Sequence, residues 1–205
     1  MGSAIPKQFL LLKGEPILFH SIRAFHAFDP AIEHVLVVPA DHLPTWNELC
    51  EKHDLFVPHR IVTGGKERYH SVKAGLERIE NDGLVAIHDG VRPLIGSELI
   101  ARCFRSAMEH GSGIPVIPVK DSVREVHEGA SRSIDRSRLR IVQTPQCFQL
   151  SLIRKAFDQP FDANFTDEAT MIERIGAPIH LVNGEERNLK ITTEIDLKIA
   201  EALLG

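Results

Sequence analysis

Apolar and polar residues along the chain follow two spacings, which predict alternating helices and strands. Residues 16–28 repeat apolar side chains at helical spacing, and Pro16 stands where a first helical turn accepts proline. The run EHVLVVP at 33–39 is continuously apolar and ends in proline, which is typical of a buried parallel strand. The run GLVAIHDG at 83–90 predicts a second buried strand that ends in polar residues.

The rest of the chain continues this alternation. Further helices are predicted at about 41–53, 67–80, 97–110, 150–158 and 166–176 and from Thr193, and further strands at 60–64, 113–119 and 178–184. This order predicts an α/β class with a Rossmann-like, mostly parallel, twisted sheet flanked by helices. Ligands of such sheets bind at the carboxyl ends of the strands, so the polar residues that close strands are the candidates for chemistry.

Residues 120–140 depart from this pattern. They alternate polar and β-branched side chains around a Glu-Gly-Ala turn, which predicts a β-hairpin arm protruding from the body. Such an arm is either a solvated excursion or a segment that reaches a partner subunit. Because no internal repeat or linker interrupts residues 1–205, we expect a single domain with one arm.

Composition excludes several classes of partner. With 205 residues, 43% of them hydrophobic, the chain can bury a substantial core. Its net charge of −4 and the absence of a polybasic run argue against general nucleic-acid binding and against a membrane-surface role. No apolar run approaches the ~18 residues that span a bilayer.

Cysteine and histidine usage predicts a reduced, cytoplasmic protein without a histidine-based metal site. The three cysteines are widely spaced and form no CxxC pair, and no signal-peptide pattern opens the sequence. The eleven histidines include no HExxH motif or other zinc spacing.

The motif HDGVRP at 88–93 is the sharpest candidate for chemistry, because it directly follows a predicted buried strand. Asp89 would lie at the carboxyl edge of the sheet, Gly90 permits close approach of a ligand, and Arg92 offers a rigid fork for phosphate or carboxylate. The structural alternative is that Asp89 caps a turn and that Arg92 is its surface partner.

The motif TGGKERYHS at 63–71 is the second candidate. Its two glycines expose backbone groups between a strand and a helix, which suits binding of a base or phosphate, although taken alone the motif favours a plain connecting turn. Lys190, Thr144 before Pro145, and Thr166 at a predicted helix start are ordinary loop residues when each is taken alone. We expect Thr166 to cap its helix, and Lys190 to lie in or just before a short strand.

Taken together, Lys7, Lys190, Arg92, Arg136 and Asp89 predict a site for polyphosphate. The chain shows neither a Ser-His-Asp order nor paired catalytic carboxylates, whereas phosphoryl transfer needs mainly positioning and charge stabilisation. Such a substrate would bring Mg²⁺, which binds substrate phosphates together with one or two carboxylates.

These motifs resemble one family over essentially the whole chain, the 2-C-methyl-D-erythritol 4-phosphate cytidylyltransferases of isoprenoid precursor synthesis. The resemblance rests on the following segments in family order: Pro6-Lys7-Gln8-Phe9, Gly64-Gly65, Glu67-Arg68, Ser71, His88-Asp89, Arg92-Pro93, Asp121, Ile134-Asp135-Arg136, Gln143-Thr144-Pro145-Gln146, Thr166-Asp167-Glu168-Ala169 and Asn188-Leu189-Lys190-Ile191-Thr192. It implies transfer of CMP from CTP to methylerythritol phosphate, with Mg²⁺ and release of pyrophosphate.

The resemblance also implies a role for each matched residue. Lys7, Lys190 and Asp89 would be catalytic, with Asp89 near the metal. Nucleotide contacts would come from Gly65, Ser71, Gly90 and Lys7, and contacts to the sugar-alcohol phosphate from Arg92, Ser122, Arg136, Thr144 and Thr166. A homodimer formed through the 120–140 arm would carry some of these residues across to the neighbouring subunit.

The sequence departs from the family pattern at a few positions. Ser122 replaces a threonine, Gly90 replaces an alanine, and Lys66 stands where an acidic or small residue is common. Met1-Gly2 looks like the end of a glycine-rich loop, so we expect an N-terminal strand and most of that loop ahead of Met1. Two alternatives remain open: a ribitol-5-phosphate cytidylyltransferase, and a non-catalytic nucleotide-binding relative.

Overall fold

The computed structural model describes residues 6–205, in which helices and strands alternate as the sequence pattern predicts. The helices are α1 Ile17–Phe28, α2 Leu43–Lys52, α3 Arg68–Leu76, α4 Ser97–His110, α5 Leu150–Phe157, α6 Glu168–Arg174 and α7 Glu194–Leu204. The strands are β1 Leu11–Leu12, β2 Glu15–Pro16, β3 His34–Val38, β4 His59–Thr63, β5 Leu84–Ile87, β6 Ser112–Pro118, β7 Val123–His127, β8 Ala130–Ile134, β9 Arg140–Val142, β10 Gln146–Gln149 and β11 Leu181–Asn183. The predicted α/β class is confirmed.

The largest sheet is mixed in direction rather than mostly parallel as expected. Its strand order is β11-β6-β10-β5, and β9 pairs with the far end of β6. Strand β11 runs parallel to β6, whereas β10 runs antiparallel to both of its neighbours and β9 antiparallel to β6. The sequence pattern did not predict β10, because a buried run of four residues between Pro145 and α5 is too short to show a period.

Close packing of helices against strands fixes the strand ends, where the polar residues of the site lie. A Cβ atom on Gly113 in β6 would lie 2.2 Å from the carbonyl oxygen of Cys103 in α4, so glycine lets this helix approach the strand. Helix α3 approaches β3 in the same way, since a Cβ on Gly75 would lie 3.1 Å from Val37. The helices therefore hold the strand ends in fixed positions.

A slot separates the large sheet from the parallel β3–β4 pair. Within residues 6–205, β5 bonds only to β10 and β3 only to β4, so each strand has one free edge. The two strands line a common cavity of about 980 Å³, whose apolar walls come mainly from β3, β5, α1 and α3. Gln8 lies at this cavity, and so do Asp89, Arg68 and Lys190, which makes one end of it polar.

Residues 120–140 contain the hairpin β7–β8, whose strands pair only with each other among the described residues. Glu128 and Gly129 form its turn with positive φ angles, 48° and 82°. The side chains of the hairpin are almost all exposed. Whether this arm meets a partner stays a prediction. None of the helices in residues 6–205 combines the length and the apolar character needed to span a bilayer.

Candidate active site

The site centres on the carboxylate of Asp89, which follows β5 at the edge of the large sheet. Its Oδ2 atom lies 3.1 Å from Lys190 Nζ and 3.3 Å from Arg92 Nε. Its Oδ1 atom lies 3.9 Å from Arg68 Nη2. Three cations therefore surround one carboxylate that is 14% exposed.

The charges around Asp89 keep it ionised. Burial opposes ionisation, but the positive charges of Lys190 and Arg68 outweigh burial and lower the pKa of this carboxyl group. Lys190 and Arg68 themselves remain 46% and 41% exposed. The cleft beside Asp89 therefore keeps excess positive charge within reach of an anionic ligand.

Arg92 is buried, unlike the surface partner considered from the sequence. Its Nη1 atom donates to the carbonyl oxygen of Asn188 at 2.8 Å, and its backbone N–H donates to Asp89 O at 3.1 Å. The Nε2 atom of His88 lies 3.1 Å from Arg92 O, and burial lowers the pKa of this imidazole to about 4. A neutral His88 and a buried Arg92 thus build the turn that carries Asp89.

Thr144, which lies between β9 and β10, holds the Asp89 turn. Its Oγ1 atom accepts the Asp89 N–H at 3.0 Å and lies 3.1 Å from His88 Nδ1. Asn188 donates to Thr144 O at 2.8 Å, which joins the segment ahead of Lys190 to the same cluster. Thr144 is 5% exposed, so in this structure its hydroxyl orders the Asp89 turn.

Two lysines approach the site from opposite ends of the chain. Lys7 donates from Nζ to Thr192 O at 2.8 Å, and the adjacent Ile191 N–H donates to Val91 O at 2.9 Å. The expectation of a strand at Lys190 is wrong, since this residue lies in an irregular segment. That backbone hydrogen bond, together with the side-chain bonds of Arg92 and Asn188, holds the segment there instead of a strand ladder.

The glycine turn after β4 is joined to the cleft through Ser71. Gly65 donates its N–H to Ser71 Oγ at 3.1 Å, and that hydroxyl donates to Glu67 O at 3.2 Å. A Cβ on Gly65 would lie 2.4 Å from His70 Cβ, so this position requires glycine. Ser71 therefore shapes the turn, and it lines the cavity together with Asp89 and Gly90.

Helix α6 begins with a different cap from the one expected. Asp167, not Thr166, is the N-cap: its Oδ1 atom accepts the Thr170 N–H at 2.9 Å. The charged acceptor also interacts favourably with the helix dipole, and Thr166 is left exposed one residue earlier. Gln146 donates to Asp167 Oδ2 and accepts the Ala169 N–H, both at 3.0 Å, so β10 fixes the start of α6.

Sequence reasoning missed the pairing of Arg68 with Glu168. The two guanidinium nitrogens of Arg68 donate to the two carboxylate oxygens of Glu168, one of them at 2.9 Å. Burial raises the pKa of Glu168, which is 2% exposed, and the charge of Arg68 opposes that rise. Both residues stand at helix starts, where the helix dipole favours Glu168 and disfavours Arg68, and no local pattern predicts that they pair.

Two expected substrate residues lie in or beside the arm. Ser122 is exposed just before β7, and Arg136 follows β8 and donates to Lys120 O. Among residues 6–205, no hydrogen bond or ion pair links either of them to the Asp89 cluster. Met1-Gly2, expected to end a glycine-rich loop, lies outside the described residues.

The donor set restricts how a metal ion could be held. Within residues 6–205 no group of three or more His, Cys, Asp or Glu side chains converges on a common point. Asp89 supplies a single ionised carboxylate. This set fits a cation that arrives with phosphate oxygens and does not fit an all-protein metal cage.

Comparison with known proteins gives a consistent result. The family profile of 2-C-methyl-D-erythritol 4-phosphate cytidylyltransferase matches residues 1–205. A Bacteroides fragilis protein of that name is 46% identical over 204 residues, covering 100% of this chain and 93% of the relative. One from Porphyromonas gingivalis is 44% identical over 205 residues, covering 100% and 91%.

Solved structures agree with the sequence comparison. The crystal structure of 2-C-methyl-D-erythritol 4-phosphate cytidylyltransferase from Thermus thermophilus superposes with a TM-score of 0.83 at 33% identity. The superposition covers 98% of this chain and 95% of that one. A structure titled 4-diphosphocytidyl-2C-methyl-D-erythritol synthase gives a TM-score of 0.83 at 29% identity, with the same coverage.

Proposed function

The chain belongs to the 2-C-methyl-D-erythritol 4-phosphate cytidylyltransferase family, and on this premise we propose that its cleft transfers CMP from CTP to methylerythritol phosphate. The observation that carries the proposal is the cluster of Lys190, Arg68 and Arg92 around an ionised Asp89. A cleft with excess positive charge and one carboxylate suits a polyphosphate substrate.

The reaction needs no covalent intermediate on the protein. A phosphate oxygen of methylerythritol phosphate attacks the α-phosphorus of CTP, and the bond from that phosphorus to the bridging oxygen breaks. The bonding electrons leave with pyrophosphate, while negative charge builds up on the α-phosphate oxygens. Because a phosphate oxygen is already a nucleophilic anion, positioning and charge stabilisation are the tasks of the protein.

Lys7 and Lys190 would supply that charge stabilisation. Among residues 6–205, Thr192 O anchors the ammonium group of Lys7 and Asp89 anchors that of Lys190, and each ammonium group has three N–H donors. Fixed cations that face the developing charge cost little reorganisation at the moment of reaction. Asp89 would also be the protein ligand of a Mg²⁺ ion held by CTP phosphates, and that ion would neutralise phosphate charge when bound.

The two substrates would occupy different walls of the cleft. Gly65, Ser71 and Gly90 would contact the nucleotide, because Ser71, which accepts the Gly65 N–H, lines the same cavity as Gly90. Arg92, Ser122, Arg136, Thr144 and Thr166 would serve the sugar-alcohol phosphate. The three free thiols, Cys50, Cys103 and Cys147, are compatible with the reducing cytoplasm that we propose as the location.

Assays with two alcohol phosphates test the choice of substrate. Purified protein is incubated with CTP and Mg²⁺ plus either methylerythritol phosphate or ribitol 5-phosphate, and pyrophosphate release is measured. We expect turnover with methylerythritol phosphate, and loss of turnover in the Asp89→Asn variant. Turnover of ribitol 5-phosphate alone would select the sister activity, and nucleotide binding without turnover would select a non-catalytic relative.

We propose further that the 120–140 arm forms a homodimer and carries Arg136 into the partner's cleft. The motivating observation is that β7 and β8 pair only with each other while Arg136 makes no contact with its own Asp89 cluster among the described residues. Two inactive variants, Lys7→Ala and Arg136→Ala, are mixed and allowed to exchange subunits. In each heterodimer, the subunit with Arg136→Ala keeps its own Lys7 and receives Arg136 from its partner, so one of the two clefts is intact. Because about half of the dimers in an equal mixture are heterodimers, about a quarter of wild-type activity should return.

Two outcomes of the mixing experiment would contradict this proposal. If sedimentation shows heterodimers but activity stays at the level of the separate variants, Arg136 does not act across the interface. If each variant sediments as a monomer at all concentrations, the dimer itself is excluded. Mixing Lys7→Ala with Lys190→Ala is the matched control, because both residues would belong to the same cleft and heterodimers would restore no site.

A further inference from the structure

One feature of the cleft has no role in the proposed reaction, namely the ion pair that joins Arg68 to Glu168. The two residues are 100 positions apart, and they are the first residues of α3 and α6. We propose that Arg68, held by Glu168, is a positioning residue that orients the Asp89 carboxylate and fixes the spacing between the glycine turn and α6.

The two members of the pair differ in exposure. Glu168 is 2% exposed, and the start of its helix is held by Gln146, which bonds on either side of it to Asp167 and Ala169. Arg68 is 41% exposed and reaches the cavity, where its Nη2 atom lies 3.9 Å from Asp89 Oδ1. The buried carboxylate is therefore the fixed end of the contact, and the guanidinium is the end that acts on the site.

The three cations near Asp89 are not equivalent. Arg92 is committed to Asn188 O, and Lys190 contacts the Oδ2 atom of Asp89. Among residues 6–205, Arg68 is the only cation whose ion pair is on Oδ1. Because cations lie beside both oxygens of Asp89, the orientation of its carboxylate plane is fixed. The Arg68 guanidinium, which Glu168 holds at two nitrogens, has little freedom to move.

The pair also connects the two walls of the cleft. Arg68 begins the helix that carries Ser71 and follows the glycine turn, and Glu168 begins the helix that follows Thr166. A buried carboxylate with a cationic partner is not required for packing, because apolar side chains of similar size can stabilise a core equally well. A charged pair is explained if the role of Arg68 is to orient the Asp89 carboxylate.

The inference rests on the proposed function, so wild-type turnover of CTP with methylerythritol phosphate is measured first. Glu168→Gln removes the charge that holds Arg68 and preserves shape, and Arg68→Lys keeps a cation but loses the fork. For each we expect kcat to fall about tenfold or more, with the KM for CTP changed less than about threefold. Glu33→Gln is the matched control, because Glu33 pairs with Arg60 at the surface with both side chains about half exposed.

A purely structural role predicts a different result. In that case kcat would follow the melting temperature of each variant, and Arg68→Lys, which leaves the buried Glu168 with a cationic partner, would retain kcat. Retention of wild-type kcat by folded Glu168→Gln or Arg68→Lys would overturn the proposal. Loss of kcat with an unchanged melting temperature would support it.

A measurement on the protein without substrates separates this inference from the proposed function. The carboxyl carbon resonance of Asp89 is assigned with the help of Asp89→Asn, and its shift is followed in the variants. Displacement in Glu168→Gln but not in Glu33→Gln supports positioning even if the wild type turns over no methylerythritol phosphate. An unmoved resonance in Glu168→Gln overturns positioning even if the wild type is fully active.

Discussion

At the scale of single residues, the cleft combines exposed cations with buried polar side chains that hold them. Gln143, Gln146 and Asn188 are at most 2% exposed, and each bonds the backbone of a segment that carries a site residue. Burying amide groups is favourable only when they are hydrogen-bonded, so these contacts also lock the loops in place. Lys190 and Arg68 can then face the cleft without being fully buried themselves.

Lys7 and Lys190 should act mainly on the transition state. Lys7→Ala and Lys190→Ala each remove an ammonium group that faces the growing charge, so we expect kcat to fall about 10²–10³-fold. CTP affinity, measured by calorimetry, should weaken far less, because uniform binding of substrate and transition state does not raise kcat. Lys198→Ala, an exposed position on α7, is the matched control. Equal losses in turnover and in affinity would indicate ground-state anchoring.

At the scale of elements, sequence patterns predicted the long, periodic segments and missed the short contacts between them. Helices α1 and α4 and strands β3 and β5 lie where apolar spacing predicted them. Strand β10 and the Asp167 cap were missed because they depend on partners far along the chain, β5 and β6 for the strand and Gln146 for the cap. Likewise, burial of Glu168 against Arg68 is a tertiary property that no local pattern encodes.

Helix α7 stabilises the segment that carries Lys190. The predicted helix start at Thr193 is correct, and Thr193 and Asp196 form a reciprocal capping box. Asp196 Oδ2 also accepts the Thr192 N–H at 2.9 Å, and Thr192 O in turn accepts a hydrogen bond from Lys7. The cap therefore lies directly behind both lysines of the proposed site.

Removing this cap should weaken the protein in a pH-dependent way. We expect Asp196→Ala to lower the free energy of unfolding by about 1 kcal/mol near neutral pH. Hydrogen bonds from Thr192 and Thr193 lower the pKa of Asp196 to about 2, against an ordinary value of 3.8. Its contribution is therefore complete above the ordinary value and is lost as the pH falls toward 2.

Urea unfolding of wild type and Asp196→Ala from pH 7 to pH 2 checks this prediction. The difference between the two proteins should be constant above pH 4 and should shrink below it. Lys198→Ala, on the same helix and outside the cap, should track wild type throughout. A difference that persists unchanged at pH 2 would mean that the carboxylate does not stabilise the cap.

At the scale of the whole molecule, the slot between β3 and β5 bears on the expectation of a further strand. Within residues 6–205, β3 and β5 each leave one edge unpaired beside an apolar cavity of about 980 Å³, and Gln8 lies at that cavity. Unpaired backbone edges beside apolar walls are costly, and one inserted strand would satisfy both of them. We therefore expect the slot to accept one further extended segment, which would unite the two sheets.

Extending the chain tests this expectation. The 205-residue protein is compared with a version that carries about six β-branched apolar residues ahead of Met1, and with one that carries a glycine-serine segment of equal length. The apolar extension should raise the melting temperature by roughly 2–4 °C per kcal/mol gained and should reduce binding of a hydrophobic dye. The glycine-serine extension should change neither, because it can pair with strand edges but buries no apolar side chains. Identical behaviour of the two extensions would show that the slot does not accept a strand, and the separation of β3 from β5 would then be a property of the fold itself.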